Sequence, residues 1–70
     1  MMASVYKIIE LVGTSKKSWE DAGANAVETM GKSLKDLRIA EVTKMDMVLK
    51  KGKVVAYRTR VAVSFKYRQK

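Results

Sequence analysis

Alternating apolar and polar positions run through the C-terminal part of the chain, over residues 54–68. One set is Val55, Tyr57, Thr59, Val61, Val63, Phe65 and Tyr67, and the other is Ala56, Arg58, Arg60, Ala62, Ser64, Lys66 and Arg68. Because successive side chains of a strand point to opposite faces, this pattern predicts one long strand with an apolar face and a cationic face. At about 3.3 Å per residue such a strand is about 50 Å long, more than one small helix can cover. We therefore expect something beyond the single chain to cover part of it.

The first half of the chain predicts a strand followed by a helix. Residues 4–12 alternate loosely and are rich in β-branched side chains, which favour strands, and residues 13–17 are typical of a turn. Apolar residues then recur at three- and four-residue steps over 19–35, which predicts an amphipathic helix. Ser18 precedes it as the expected N-cap, with its hydroxyl placed to accept a hydrogen bond from the Asp21 amide.

The second half predicts a hairpin of two strands. Residues 39–50 form the second strand, and Lys51-Gly52 forms a two-residue turn in which glycine supplies a positive φ. A two-residue turn fixes which residues of the two strands face one another. The expected pairs are Ala40 with Val63, Val42 with Val61 and Val48 with Val55 on the apolar face, and Ile39 with Ser64, Glu41 with Ala62, Thr43 with Arg60 and Met45 with Arg58 on the other. A face that mixes apolar, cationic and acidic side chains suits an oligomer contact or a ligand pocket.

These elements predict an α+β fold with β-α-β-β topology. A helical crossover makes the first and second strands parallel, so the third can pair antiparallel with both. We expect a three-stranded antiparallel sheet in the order 1-3-2, wrapped around one helix, with residues 1–70 forming a single domain.

The length and composition of the chain indicate that it forms an oligomer. A chain of 70 residues buries only about 60% of its unfolded surface, and the absence of cysteine and histidine removes the disulfide and the zinc site that usually stabilise small domains. Oligomerisation is the remaining common solution. No apolar run is long enough to span a bilayer, so we expect a cytoplasmic protein without a membrane partner.

Charge and side-chain chemistry favour binding over catalysis. Fifteen Lys and Arg against seven Asp and Glu give a formal charge of +8, but these residues are scattered, which indicates a solvated surface rather than a specific nucleic-acid site. Without histidine or cysteine the commonest general base and the thiolate nucleophile are missing, so we expect no enzyme. Calcium or magnesium is an alternative ligand if symmetry brings copies of Glu41 or Asp46 together.

Several short motifs, in this order of elements, resemble the dodecin family over essentially the whole chain. The most specific are the Gly-Thr-Ser after the first strand and the end of the third strand. The matching segments are Val5-Tyr6-Lys7, Glu10-Leu11-Val12-Gly13-Thr14-Ser15, Ser18-Trp19-Glu20-Asp21-Ala22, Ile39-Ala40-Glu41-Val42 and the stretch from Tyr57 through Lys66.

The resemblance implies a hollow homo-dodecamer that binds flavins such as FMN or riboflavin, and stores and buffers them. Flavin-binding members stack a tryptophan on the ring where this chain has Ile39, and they hydrogen-bond the ring with a glutamine where this chain has Arg58. The chain is similar to the branch with an aliphatic residue in the tryptophan's place, some members of which hold calcium. The ligand-binding residues that we expect are Ile39, Glu41, Met45, Arg58 and Arg60, and the metal-binding residues are Glu41 and Asp46.

The resemblance, together with the residues at these positions, implies two alternative functions. The first is a dodecameric flavin-binding protein. The alternative is a dodecin shell that holds calcium or an anionic ligand such as coenzyme A, with negligible affinity for flavin, because Arg58 is a cationic donor that cannot accept hydrogen bonds.

Overall fold

The computed structural model describes residues 4–66, and these form three strands and one helix. The elements are β1 (Tyr6–Ser15), α1 (Trp19–Gly31), β2 (Leu37–Lys50) and β3 (Lys53–Lys66). Both neighbours of β3 pair with it antiparallel, and the strand order is β1-β3-β2. The predicted α+β fold and its strand order are confirmed. The last two residues of the predicted third strand, Tyr67 and Arg68, lie outside the described residues.

The first strand begins two residues later than predicted and ends three residues later, because the Gly-Thr-Ser segment belongs to it. Gly13 pairs with Thr59, and the strand continues to Ser15 before the chain turns. Gly13 is buried beneath the helix, where a Cβ atom would collide with the backbone carbonyl oxygen of Ala22. Glycine is therefore needed here for the close approach of strand and helix, and the prediction of a turn at residues 13–15 was wrong.

The helix begins as predicted and ends earlier. Ser18 has extended backbone angles, and its hydroxyl accepts a hydrogen bond of 3.0 Å from the Asp21 amide. The helix ends at Gly31, four residues before the predicted end. Beyond it, the amide of Ser33 donates to the Met30 carbonyl at 3.0 Å, a tighter i to i+3 closure that terminates the helix. No helix within residues 4–66 is long and apolar enough to cross a membrane.

The hairpin turn is confirmed at Lys51 and Gly52, which have positive φ angles of 52° and 76°. Both central residues of a type I′ turn require positive φ, which matches the twist of the two strands. The predicted register holds from Ile39 to Val42 and again at Leu49 and Lys50.

Between these ends the predicted register is wrong by one residue. Irregularities after Val42 and after Val48 shift the pairing and then restore it. The observed pairs are Lys44 with Arg60, Met45 with Thr59, Asp46 with Arg58, Met47 with Tyr57 and Val48 with Ala56. Thr43 is left without a partner in the ladder, and its hydroxyl donates to the Arg60 carbonyl at 3.2 Å. Because strand side chains alternate, the shift moves Met45 from the predicted cationic face to the opposite face, which carries the helix.

Burial is concentrated where the helix crosses β1 and β3. The fully buried side chains are Ala22 on the helix and Thr59, Val61 and Val63 on β3. The helix contacts β2 much less, and no residue of β2 is buried. The result is an elongated subunit of 56 × 20 × 14 Å. The part of the hairpin formed by residues 47–56, called the arm below, extends beyond the helix.

Candidate functional site

The sheet surface turned away from α1, called the outer face below, collects most of the predicted ligand residues. Residues paired across neighbouring strands share a face, and the buried Val61 and Val63 mark the opposite one. From the base of the hairpin toward the arm, the rows of the outer face are Ile8, Ser64 and Ile39; Glu10, Ala62 and Glu41; Val12, Arg60 and Lys44; and Thr14, Arg58 and Asp46.

The row nearest the base is an open apolar platform. Ile39 is 67% exposed and Ile8 is 64% exposed, and the small Ser64 lies between them. The Ser64 hydroxyl is 3.4 Å from the Ile39 carbonyl oxygen, so its hydrogen bond is satisfied within the sheet. A flat surface of this kind, with two branched side chains exposed to water, suits a planar apolar group or a second copy of the chain.

The next row carries two carboxylates on either side of Ala62. Glu10 and Glu41 lie on the outer strands, about 10 Å apart by two strand spacings. Asp46 is five residues beyond Glu41 on the same strand, about 16 Å away. Within residues 4–66, no group of three or more potential metal-binding side chains comes together. One chain therefore does not assemble Glu41 and Asp46 into a site.

Arg58 and Asp46 form a bidentate ion pair at the end of the outer face nearest the arm. The Nε of Arg58 donates to one carboxylate oxygen at 2.7 Å, and a terminal nitrogen donates to the other at 2.8 Å. This hydrogen bonding holds the pKa of Asp46 below its ordinary value, with smaller contributions from the charges of Arg58, Arg60 and Lys44. The same pair raises the pKa of Arg58. Both charges are thus engaged with each other.

Arg60 and Lys44 are directly opposite each other in the next row. Like charges at directly paired positions repel, and an anion placed between them would relieve that repulsion. The one-residue shift at Thr43 creates this arrangement, since the predicted register put Thr43 itself opposite Arg60. These two side chains, rather than Arg58, are the cations of the outer face that are placed to bind an anionic group.

Trp19 lies on the other side of the sheet. Its indole nitrogen donates to the backbone carbonyl of Asp46 at 3.0 Å, and its ring meets Tyr57 edge to face with 5.1 Å between centroids. Thr59 donates to the Trp19 carbonyl at 2.8 Å. These contacts fix the start of the helix against the hairpin, so Trp19 is not part of the outer face.

Four of the five predicted ligand residues share the outer face, and the fifth does not. Ile39, Glu41, Arg58 and Arg60 lie there, whereas Met45 pairs with Thr59 on the opposite face, the one on which the helix packs. The prediction that Met45 faces Arg58 was therefore wrong. The outer face also includes residues that were not predicted, which β1 and the register shift contribute, namely Ile8, Glu10 and Lys44. The alternation of the first strand carries the signal for Ile8 and Glu10, whereas the bulge that places Lys44 leaves no such trace.

Comparisons with known proteins agree on one family. The family model described as Dodecin matches residues 5–68. Calcium dodecin of Mycobacterium tuberculosis is 45% identical over 65 residues, which cover 93% of this chain and 92% of that protein. A crystal structure described as a calcium-chelating antigen, calcium dodecin, from the same organism superposes with a TM-score of 0.83 and covers 93% of both chains. A mutant dodecin of T. thermophilus, 31% identical, superposes with a TM-score of 0.88 and covers 96% of this chain and all of that one.

Proposed function

The chain belongs to the dodecin family, and on that premise we propose that it is a non-enzymatic, small-ligand-binding protein. In this proposal it works as a cytoplasmic homo-dodecamer that stores and buffers its ligand. The first candidate ligand is a flavin, FMN or riboflavin, bound on the outer face where copies of the chain meet. The domain is the whole chain, residues 1–70, and neither a membrane nor a specific nucleic acid is a partner.

The open apolar row of the outer face is the observation that carries this proposal. Ile39 and Ile8 are the two most exposed of the large apolar side chains within residues 4–66. Burying them against a planar ring stabilises the complex by roughly 25 cal/mol for each Å² of apolar surface removed from water. Glu41 and Arg60 lie in the following rows and supply polar groups at the edge of such a ligand.

Flavin binding is expected to be weak. Ile39 stands where flavin-binding relatives stack a tryptophan, and the loss of one stacked ring costs about 1–3 kcal/mol, judged by aromatic stacking on nucleobases. Arg58 stands in place of the glutamine, and its guanidinium is held by both carboxylate oxygens of Asp46. The phosphate of FMN offers a compensating contact with Arg60 and Lys44, so FMN should bind more tightly than riboflavin, which has no phosphate.

Titration with FMN tests the flavin assignment. We expect the protein to quench FMN fluorescence at high protein concentration, and the Ile39→Trp variant to bind FMN about 10-fold or more tightly, in keeping with 1–3 kcal/mol for a stacked ring. The matched control is Val5→Trp, which places the same ring at an exposed position outside the rows of the outer face. Unchanged emission with both the native chain and Ile39→Trp would eliminate flavin as the ligand.

Calcium is the second candidate ligand. The chain is 45% identical to calcium dodecin, and Glu41 presents an exposed carboxylate on the outer face. Since hard cations take six to eight oxygen ligands, one chain cannot complete the site, and copies of Glu41 from neighbouring chains would have to share it. Asp46 is the weaker of the two predicted metal ligands, because Arg58 occupies both of its oxygens.

Metal analysis separates the two ligands. If calcium is the ligand, elemental analysis of the purified assembly finds it, and Glu41→Gln abolishes uptake. The comparison variant Asp46→Asn should bind calcium nearly as well as the native chain. In the native chain Arg58 already binds both oxygens of the Asp46 carboxylate, so their loss removes no available metal ligand. Coenzyme A, the anionic alternative, should instead lose affinity in an Arg60→Gln variant and keep it in Glu41→Gln.

A further inference from the structure

An open groove separates α1 from β2 on the helix side of the sheet. It has a volume of about 410 Å³ and is lined mainly by apolar groups. A smaller cavity of about 250 Å³ shares Trp19, Glu20 and Val42 with it and extends to Met45. Although they lie on the side of the sheet that carries the helix, Val42 remains 54% exposed and Met45 remains 58% exposed. The chain's own helix therefore leaves this apolar surface uncovered.

The arm, residues 47–56, has apolar surface of its own that no other residue within 4–66 buries. The contact of Trp19 with Asp46 and Tyr57 is made at the start of the helix. Beyond it the hairpin projects by three residue pairs and the turn, or roughly 13 Å from Asp46 to Lys50. Met47 and the pair formed by Leu49 and Val54 lie on the same side as the groove and are 46% to 60% exposed.

The charges beside these two apolar surfaces have opposite signs. Glu20 and Glu28 line the groove, about 12 Å apart along the helix. Lys50, Lys51 and Lys53 surround the tip of the arm and are exposed. No residue of the arm lines the groove of its own chain, and the subunit is elongated, 56 Å in its longest dimension. An attraction between the lysines and the glutamates therefore requires two copies of the chain.

We infer that the arm of one copy docks in the groove between α1 and β2 of a second copy. Leu49 and Val54 pack on Val42 and its neighbours, and the tip lysines pair with Glu20 and Glu28. The same chain thus carries the projecting element and the surface that receives it, as an assembly of identical subunits requires. This inference rests on the proposed homo-oligomer and identifies the contact that holds it together.

Disulfide trapping tests the contact directly, because the chain has no native cysteine. The test variant is Leu49→Cys with Ala24→Cys, one cysteine on the arm and one in the groove. We expect mild oxidation to give covalent multimers on a non-reducing gel, at least 10-fold more than either single cysteine gives. The matched control, Leu49→Cys with Lys35→Cys, keeps the arm cysteine and moves the other to an exposed residue after the helix. Equal cross-linking in the test and control variants would overturn the inference.

Charge exchange tests the contact without cysteines. Lys50→Glu with Lys53→Glu makes the tip acidic, and Glu20→Lys with Glu28→Lys makes the groove basic. At low salt, each double variant should raise the protein concentration at which the assembly dissociates by at least 10-fold. When the two exchanges are combined, that concentration should return to within about 3-fold of the native value. The control, Lys16→Glu with Lys35→Glu, makes the same change in charge elsewhere and should leave assembly unchanged.

The outcomes separate this inference from the proposed assembly. Native mass spectrometry of each folded variant, with folding checked by circular dichroism, gives its oligomeric state. If an oligomer forms without arm-to-groove cross-links, or if charge exchange neither weakens nor restores it, the docking contact is wrong. The proposed oligomer itself is not contradicted by that result. A native chain that stays monomeric at all concentrations contradicts both.

Discussion

Val61 and Val42 are the same kind of residue, directly paired across neighbouring strands on the same face of the sheet, yet their environments are opposite. Val61 is 2% exposed and Val42 is 54% exposed. The difference lies in the helix, which crosses β1 and β3 and leaves β2 open. An alternating pattern thus identifies which face of a strand is apolar, but the reach of the covering element decides whether that face is buried. One half of this sheet holds the chain together, and the other half is available to another copy.

The largest expected effect is at Gly13, in the covered half. We expect Gly13→Ala to lower the free energy of unfolding by about 3 kcal/mol or more, because the new Cβ atom would collide with the Ala22 carbonyl and force helix and strand apart. Chemical denaturation followed by circular dichroism measures it. The control is Gly31→Ala, where a Cβ atom meets only the end of Leu37 at 3.7 Å. Equal losses in the two variants would show that the close approach at Gly13 is not what requires glycine.

The paired valines provide the next test. Val61→Ala opens a cavity in the core and should cost about 2 kcal/mol at every protein concentration. Val42→Ala should change the stability of the isolated chain by less than about 0.5 kcal/mol, because the side chain is half exposed there. Its cost should rise with protein concentration as copies associate. Denaturation curves recorded over a wide range of protein concentrations check both. If the loss of unfolding free energy in Val42→Ala does not change with concentration, then copies of the chain do not cover Val42.

The smallest effect concerns the ion pair on the outer face. Since Arg58 lowers the pKa of Asp46, the pair favours the folded state above the ordinary carboxyl pKa, and this contribution is lost as the pH falls through the lowered value. Replacing Arg58 with glutamine should raise the pKa of Asp46 toward its ordinary value, measured by NMR titration of the carboxyl carbon. Arg38→Gln is the control and should leave that pKa where it is. Stability should change little, because both partners are exposed.

Much of the fold was predictable because its local signals agree. Ser18 and the positive φ at Gly52 mark the helix start and the hairpin turn, and both are confirmed. Strand order followed from connection rules alone. The helix end was not predictable from spacing, since Leu34 continues the apolar period although the helix stops at Gly31. The close approach that requires Gly13 depends on tertiary packing, which local turn propensity does not reveal.

The outer face was predictable only in part. Ile39 and Glu41 were placed correctly because the two irregularities between them and the turn, after Val48 and after Val42, cancel. From Val48 back to Lys44, between these two irregularities, the pairing is displaced by one residue. A register counted from the turn cannot detect two shifts of opposite sense. The ion pair of Asp46 with Arg58 therefore appeared only in the structure.

We expect other copies of the same chain to cover the open half of the sheet. Sedimentation velocity of the native chain across a range of concentrations tests it most directly. We predict a single assembly whose mass is about twelve times that of the 7.9 kDa chain, with dissociation only at high dilution. A species of 7.9 kDa at every concentration would contradict the claim, because the exposed apolar surface of β2 and the arm would then have no partner among copies of this protein.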